Sequence, residues 1–287
     1  MRSITTRHFL QTAGTLLAGL VLVACGKQAP PAPAATVAPP AASAPAPAAK
    51  VYTVGTDAAY APFESQNEKG EIVGFDIDVV KAVAAKAGIE VKFVNTPWEG
   101  IFNTLAQGDR DFLVSSITIT DERKQTMDFS SPYFDAQQLM AVKKDSKIAK
   151  FDDIKKLKVG VQTGTTGDEV VTKLQGKEST NVKRFESTPL ALKELEAGGV
   201  DAVVADNGVV VHYVANNTNS SFKTLADSSF AAEQYGLAVK KGNADLLAKL
   251  NKGLTDVKAD GTYNTIYAKY FGAAPGAAAA PAAASSK

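Results

Sequence analysis

Two segments of this 287-residue chain, 105–116 (LAQGDRDFLVSS) and 195–206 (LEAGGVDAVVAD), repeat one pattern. Leucine, glycine, aspartate and valine recur at matched places: Leu105/Leu195, Gly108/Gly198, Asp111/Asp201 and Val114/Val204. Each segment reads as the end of an amphipathic helix, a glycine stop, a buried strand and a polar residue at the strand's carboxyl end. Any two helix-to-strand units would give such matches, so shared ancestry does not follow. The fold class does: strands alternating with helices make an α/β protein with largely parallel sheets. Ser116 and Asp206 take the same place in the pattern. Ligands of open α/β sheets bind beyond the carboxyl ends of the strands. Two sheets with polar strand ends therefore suggest two lobes facing one cleft.

The remaining periodicities agree. Residues 51–56 alternate as a strand running into a loop, and a hairpin turning at 67–70 follows. Asp76 is expected to cap a helix whose apolar positions are Ile77, Val80, Val83, Ala84 and Ala87, closed by Gly88. Residues 91–94 read as a strand, and Ile101, Phe102 and Leu105 as a short helix face. Residues 159–161 open a strand, loop and helix unit through Gly164-Thr165-Thr166-Gly167. Thr188-Pro189 starts a helix with Leu190, Leu192 and Leu195 on its apolar face.

The ends of the chain differ from this body. Residues 1–24 have a secretory layout: Arg2 and Arg7, then an apolar stretch too short for a comfortable membrane span. Leu22-Val23-Ala24-Cys25-Gly26 resembles a bacterial lipobox, which would make Cys25 the acylated first residue of the mature protein. Residues 25–50 are an Ala/Pro-rich tether, and residues 273–287 a second Ala/Pro tail expected to be disordered. Cys25 is the single cysteine, so an exported fold here cannot rest on disulfides, and thiolate redox or metal chemistry is excluded. The chain holds 31 basic and 30 acidic residues; without Arg2 and Arg7 it is near −1, leaving no basic field for nucleic acid. His8 and His212 are the only histidines, too little material for a Ser-His-Asp triad or a histidine metal site. Neither a metal nor a cofactor is expected.

The chemistry gathers at the expected strand ends. Residues 115–132 run from hydroxyls into a charged segment with helix-start character, with Arg123 about one turn in. Such a stretch suits a carboxylate, although its local residues fit a capped surface helix equally well. Asp57, Ser115, Ser116, Thr118, Arg123, Thr165, Thr166 and Asp206 together fit an α-amino acid: a guanidinium fork and helix-start N–H groups for the carboxylate, Asp206 for the ammonium. Tyr60 and Trp98 offer aromatic faces for a flat or cationic side chain, or plain packing. Asp57 is a surplus carboxylate that a basic side chain would neutralise, or that could accept from an amide.

GTDAAYAPFES (55–65), GEIVGFDID (70–78), SSITITDERK (115–124), DFSSPYF (128–134) and DGTYNTIYAKYFG (260–272) resemble, in order, the polar amino-acid-binding proteins of bacterial uptake transporters, family 3 of the solute-binding proteins. The resemblance implies a type II periplasmic-binding-protein fold that closes by hinge bending. It places one lobe at 51–139 plus 236–272 and the other at 140–235, with two crossover strands between. It implies a carboxylate clamp of Arg123, Ser116 and Thr118, an ammonium acceptor at Asp206, aromatic walls at Tyr60 and Trp98, a lobe 1 carboxylate at Asp57, and a lobe 2 contact at Thr166. Ser115-Ser116 is similar to the lysine/arginine/ornithine binders, where glutamine binders have Ala-Gly. Gln162 stands where glutamine binders place a lysine. Both departures favour arginine or lysine, with a glutamine or broad polar amino-acid receptor as the alternative. Implied with the family are a membrane permease with its ATPase as partner, a periplasmic location on a lipid anchor at Cys25, and a monomer without enzymatic activity. Some exported cyclohexadienyl dehydratases resemble the same family and supply an alternative of another class.

Overall fold

The structure is a computed structural model, and it describes residues 50–217 and 221–272. Residues 1–24, read above as a signal segment, Cys25, nearly all of the expected 25–50 tether and the 273–287 tail lie outside the described residues. The strands are β1 (Val51–Thr56), β2 (Ala59–Tyr60), β3 (Glu64–Gln66), β4 (Ile72–Val73), β5 (Glu90–Asn95), β6 (Phe112–Leu113), β7 (Met127–Phe129) and β8 (Phe134–Lys143). After them come β9 (Val159–Gln162), β10 (Val182–Phe185), β11 (Ala202–Asp206), β12 (Phe222–Leu225), β13 (Ala232–Tyr235) and β14 (Ala238–Lys240). The α-helices are α1 (Phe75–Ala87), α2 (Ile101–Gln107), α3 (Asp121–Thr126), α4 (Thr166–Gln175), α5 (Thr188–Ala197), α6 (Asn207–Asn216), α7 (Ala244–Ala259) and α8 (Thr262–Phe271).

Two sheets build two lobes. One has the order β5-β1-β6-β14-β7, the other β10-β9-β11-β8-β12. In each, the strands that carry the sequence repeat run parallel: β1 with β5 and β6, β9 with β10 and β11. The sheets are nonetheless mixed, because β14 runs antiparallel to β6 and β7, and β8 antiparallel to β11 and β12. Periodicity reports burial, and it cannot distinguish a buried parallel strand from a buried antiparallel one. Strand β8 is the longest. Its first residues pair with β13 and its later ones with β11 and β12, so β8 and β13 form an antiparallel ribbon leading from one sheet to the other.

Two local expectations need correction. Asp76 does not cap α1. The N-cap is Gly74, at φ 141°, where a Cβ would lie 2.0 Å from the Phe63 carbonyl oxygen. Asp76 instead sits inside the first turn, fully buried, with its carboxylate turned toward residue 116. Leu190 is 44% exposed, and α5 packs through Ala191, Leu192 and Leu195.

Helices α1 and α7 approach closely at Gly253, where a Cβ would meet the Val83 carbonyl oxygen at 2.5 Å and Val83 Cγ1 at 2.8 Å. In an open helix Gly→Ala gains about 1 kcal/mol. Here the obstacle is backbone, which cannot rotate aside, and overpacking costs about 1–3 kcal/mol. Gly253→Ala is therefore expected to destabilise the protein by about 1–2 kcal/mol, lowering Tm by ~2–8 °C in a thermal melt.

Candidate functional site

The cavity of interest is lined by Asp57, Tyr60, Trp98, Ser115, Ser116, Thr118, Arg123, Gln162, Thr165, Thr166 and Asp206. Its walls come from both lobes: β1, β2 and the stretch from β6 to α3 on one side, β9, the start of α4 and the end of β11 on the other.

The expected carboxylate clamp lies on a short segment. After β6, the chain passes Ser115 and Ser116, then caps α3 with Thr120, whose side chain accepts from the Arg123 N–H. Ser116 takes φ 48°, a left-handed conformation uncommon outside glycine and concentrated at functional sites. Its N–H donates to Asp76 Oδ2 at 2.8 Å, and its buried hydroxyl has no protein partner. Ser115 Oγ accepts from the Asp57 N–H and donates to Glu64 Oε1. Tyr133 O–H also donates to Asp76 Oδ2.

Glu64 and Asp76 lie side by side with no exposure. Burial, and then the charge of Asp76, pushes the Glu64 carboxyl well above the usual carboxylate range. A proton shared between the two carboxyls would satisfy Glu64 Oε2 and Asp76 Oδ1, buried atoms with no other protein partner. The pair underpins the turn that carries Ser115 and Ser116, because each carboxyl accepts from one of these residues.

Arg123 is 8% exposed, and its guanidinium rests against an edge-to-face pair of aromatic rings, 5.4 Å from the Trp98 centroid and 5.3 Å from Phe102. One nitrogen donates to the Thr118 carbonyl at 3.0 Å, and another reaches the Gly164 carbonyl of the opposite lobe at 3.4 Å. Burial lowers its pKa from the ordinary guanidinium value, while Glu169, Asp206 and Glu233 pull it back up. It stays charged. Opposite it, Thr165 and Thr166 at the start of α4 line the cavity, and Thr165 caps the helix with a hydroxyl that accepts from the Asp168 N–H.

Asp206 ends β11 and is buried. Tyr60 O–H and Tyr235 O–H donate to its Oδ2 at 2.9 and 2.6 Å, and Gln138 Nε2 donates to Oδ1 at 2.5 Å. Burial, followed by the charge of Glu233, pushes its pKa up to about 6 despite those three donors. A buried carboxylate short of positive charge is a receptor for a cation. Asp57 is half-buried, its pKa raised by burial, and is steadied by Gln162 Nε2 at 3.3 Å across the cleft. Gln162 is fixed in turn by the Glu186 carbonyl and the Thr188 hydroxyl.

Three residues of this network escaped the sequence reading: Gln138 on β8, and Glu233 and Tyr235 on β13. One signal was available, because 233 and 235 share a face of a strand by period-2 spacing. Among the described residues, no cluster of potential metal ligands occurs, and no helix is long and apolar enough to cross a membrane.

The fold and this cleft define a solute-binding protein. Residues 52–273 match the profile of the bacterial extracellular solute-binding proteins, family 3, and the chain belongs to that family. It is 45% identical over 270 residues to a protein of Neisseria gonorrhoeae described as a probable histidine-binding protein, covering 93% of this chain and 97% of that one. An L-arginine-binding protein of Pseudomonas aeruginosa is 31% identical, with 77% and 88% covered. Among solved structures, the arginine-, lysine-, histidine-binding protein ArtJ of Geobacillus stearothermophilus superposes with TM-score 0.77 at 45% identity, over 79% of this chain and 97% of that one. The ancestral amino-acid-binding protein AncCDT-1, a precursor of cyclohexadienyl dehydratase, superposes with TM-score 0.70 at 39% identity, over 77% and 95%.

Proposed function

We propose that the protein is the receptor of an ABC importer for a cationic L-amino acid, with arginine or lysine the preferred ligand. The observation that carries the reading is the pairing of Arg123 and Asp206 on opposite lobes of one cavity. Arg123, the Ser116 hydroxyl and the N–H groups of Thr118 and Thr166 take the α-carboxylate, and Asp206 takes the α-ammonium. Asp57, Tyr60, Trp98, Ser115 and Gln162 are left for the side chain, and Asp57 supplies the charge that a basic side chain needs. The arginine-, lysine- and histidine-binding relatives support the same ligand class.

The mechanism is a population shift: the ligand lands on lobe 1 and then stabilises the closed form through contacts it can make only when lobe 2 arrives. We further assign the lobes to 51–139 with 236–272 and to 140–235, acylation to Cys25, a periplasmic location on that anchor, and a monomeric receptor delivering to a membrane permease.

A calorimetric panel of arginine, lysine, histidine and glutamine tests the reading. Arginine or lysine is expected to bind at micromolar or tighter concentrations, a binding free energy of about 8 kcal/mol or more. Asp57→Asn is expected to weaken the basic ligands about tenfold while leaving glutamine within a few-fold. Heat with glutamine and none with arginine would reverse the ligand assignment. Turnover of prephenate or arogenate would move the protein into the dehydratase class instead.

A further inference from the structure

Glu233 does not line the cavity, yet it holds two groups that do. Its Oε2 accepts from Thr118 Oγ1 at 2.6 Å and from Thr166 Oγ1 at 2.9 Å, and its Oε1 accepts from Gln138 Nε2 at 3.0 Å. Thr118 precedes α3 in one lobe, whereas Thr166 opens α4 in the other. One carboxylate on the connecting ribbon thus takes a hydroxyl hydrogen from each side.

A hydroxyl has one hydrogen and two lone pairs. With both hydrogens committed to Glu233, Thr118 and Thr166 can offer the cavity only acceptors. Gln138 completes the pattern. Its two Nε2 hydrogens go to the two carboxylates, Glu233 Oε1 and Asp206 Oδ1 at 2.5 Å, and Thr166 Oγ1 lies 3.1 Å from the same nitrogen. The amide cannot turn over, because its oxygen would then face two carboxylates. Asp206, Thr118 Oγ1 and Thr166 Oγ1 therefore line one end of the cavity as acceptors, each held in that sense from behind.

We infer that Glu233 is a positioning residue that sets the direction of these hydroxyls, so that this end of the site demands a group with several hydrogens to give, an ammonium, and refuses a hydroxyl. The same bonds require both lobes to be in contact with the ribbon, so the acceptor set is complete only in the closed form. The inference rests on the amino-acid reading above and specifies how its ammonium is recognised.

The test compares, by calorimetry on the full chain, the tightest binder of the amino-acid panel with its α-hydroxy analogue, which differs only in carrying a hydroxyl in place of the ammonium. The wild-type protein is expected to prefer the amino acid by more than 100-fold. In Glu233→Gln, the new amide hydrogens compete with the threonine hydroxyls. The amino acid is expected to weaken 10- to 100-fold, and the preference to collapse at least tenfold. Glu233→Asp keeps the carboxylate and is expected to retain the preference even where overall affinity drops, which a role in packing alone would not produce. If Glu233→Gln fails to fold, Thr118→Val removes one of the oriented hydroxyls, and the same collapse is expected. An unchanged preference in the variant, with the wild type binding normally, overturns the Glu233 assignment alone. A wild type that binds no member of the panel overturns the amino-acid reading and this inference with it.

Discussion

Arg123→Ala is expected to weaken binding of the preferred amino acid by about 30-fold to several thousand-fold, or 2–5 kcal/mol, because the ligand carboxylate would be desolvated opposite no positive charge. The aromatic cradle sharpens the expectation. Trp98 and Phe102 pack against each other and against one side of the guanidinium, at 5.4 and 5.3 Å, so the space left behind has an apolar wall that offers the carboxylate no replacement charge. Arg123→Lys keeps a charge but loses the planar fork that reaches both the Thr118 and Gly164 carbonyls, so an intermediate loss is expected. Isothermal calorimetry reads both directly. Unchanged affinity in the alanine variant would remove Arg123 from the site.

Asp206→Asn is expected to act in two directions. Binding should fall by about 2–5 kcal/mol, as the ammonium loses its counter-charge. The ligand-free protein, in contrast, should gain stability at neutral pH. A carboxyl whose pKa rises from 3.8 to about 6 on folding binds more proton in the folded state than in the unfolded one across that interval. Stability then falls as pH rises through the window, and above it the ionised group costs up to about 3 kcal/mol. Asparagine removes that cost and keeps an oxygen for the Tyr60 and Tyr235 hydroxyls, although Gln138 must rearrange. A net gain of about 1–2 kcal/mol is expected at pH 7, shrinking toward zero near pH 4. Melting curves of variant and wild type at the two pH values measure it. A variant less stable than wild type at pH 7 would mean that Asp206 serves the fold rather than the ligand.

Most of the site was legible from residue order because it sits where strands stop. Ser115, Ser116 and Asp206 follow buried apolar runs, and the carboxyl ends of such runs face the cleft. Gly88, Gly108 and Gly198 likewise marked helix ends that the structure places at those same glycines. What sequence could not show was long-range pairing. Glu233 reads as one charge in a short polar segment until β13 is laid along β8, and only then does it meet Thr118 and Thr166, which are remote in the chain. Asp76 illustrates a different limit. An acid before a helical run is ordinarily a cap, and only the position of Gly74 and the buried turn at Ser116 turn it inward.

The turn at Ser115 and Ser116, anchored on the buried carboxyl pair of Glu64 and Asp76, bears on the timing of ligand exchange. On the proposed function, hydrogen bonds of the fold hold this half of the site before any ligand arrives, so an incoming amino acid would meet donors already in place, and little ordering cost would fall on the encounter. Arrival rates should then differ little from one amino acid to another. Discrimination among them would then pass to the lifetime of the complex, which the proposed hinge opening of the second lobe would set.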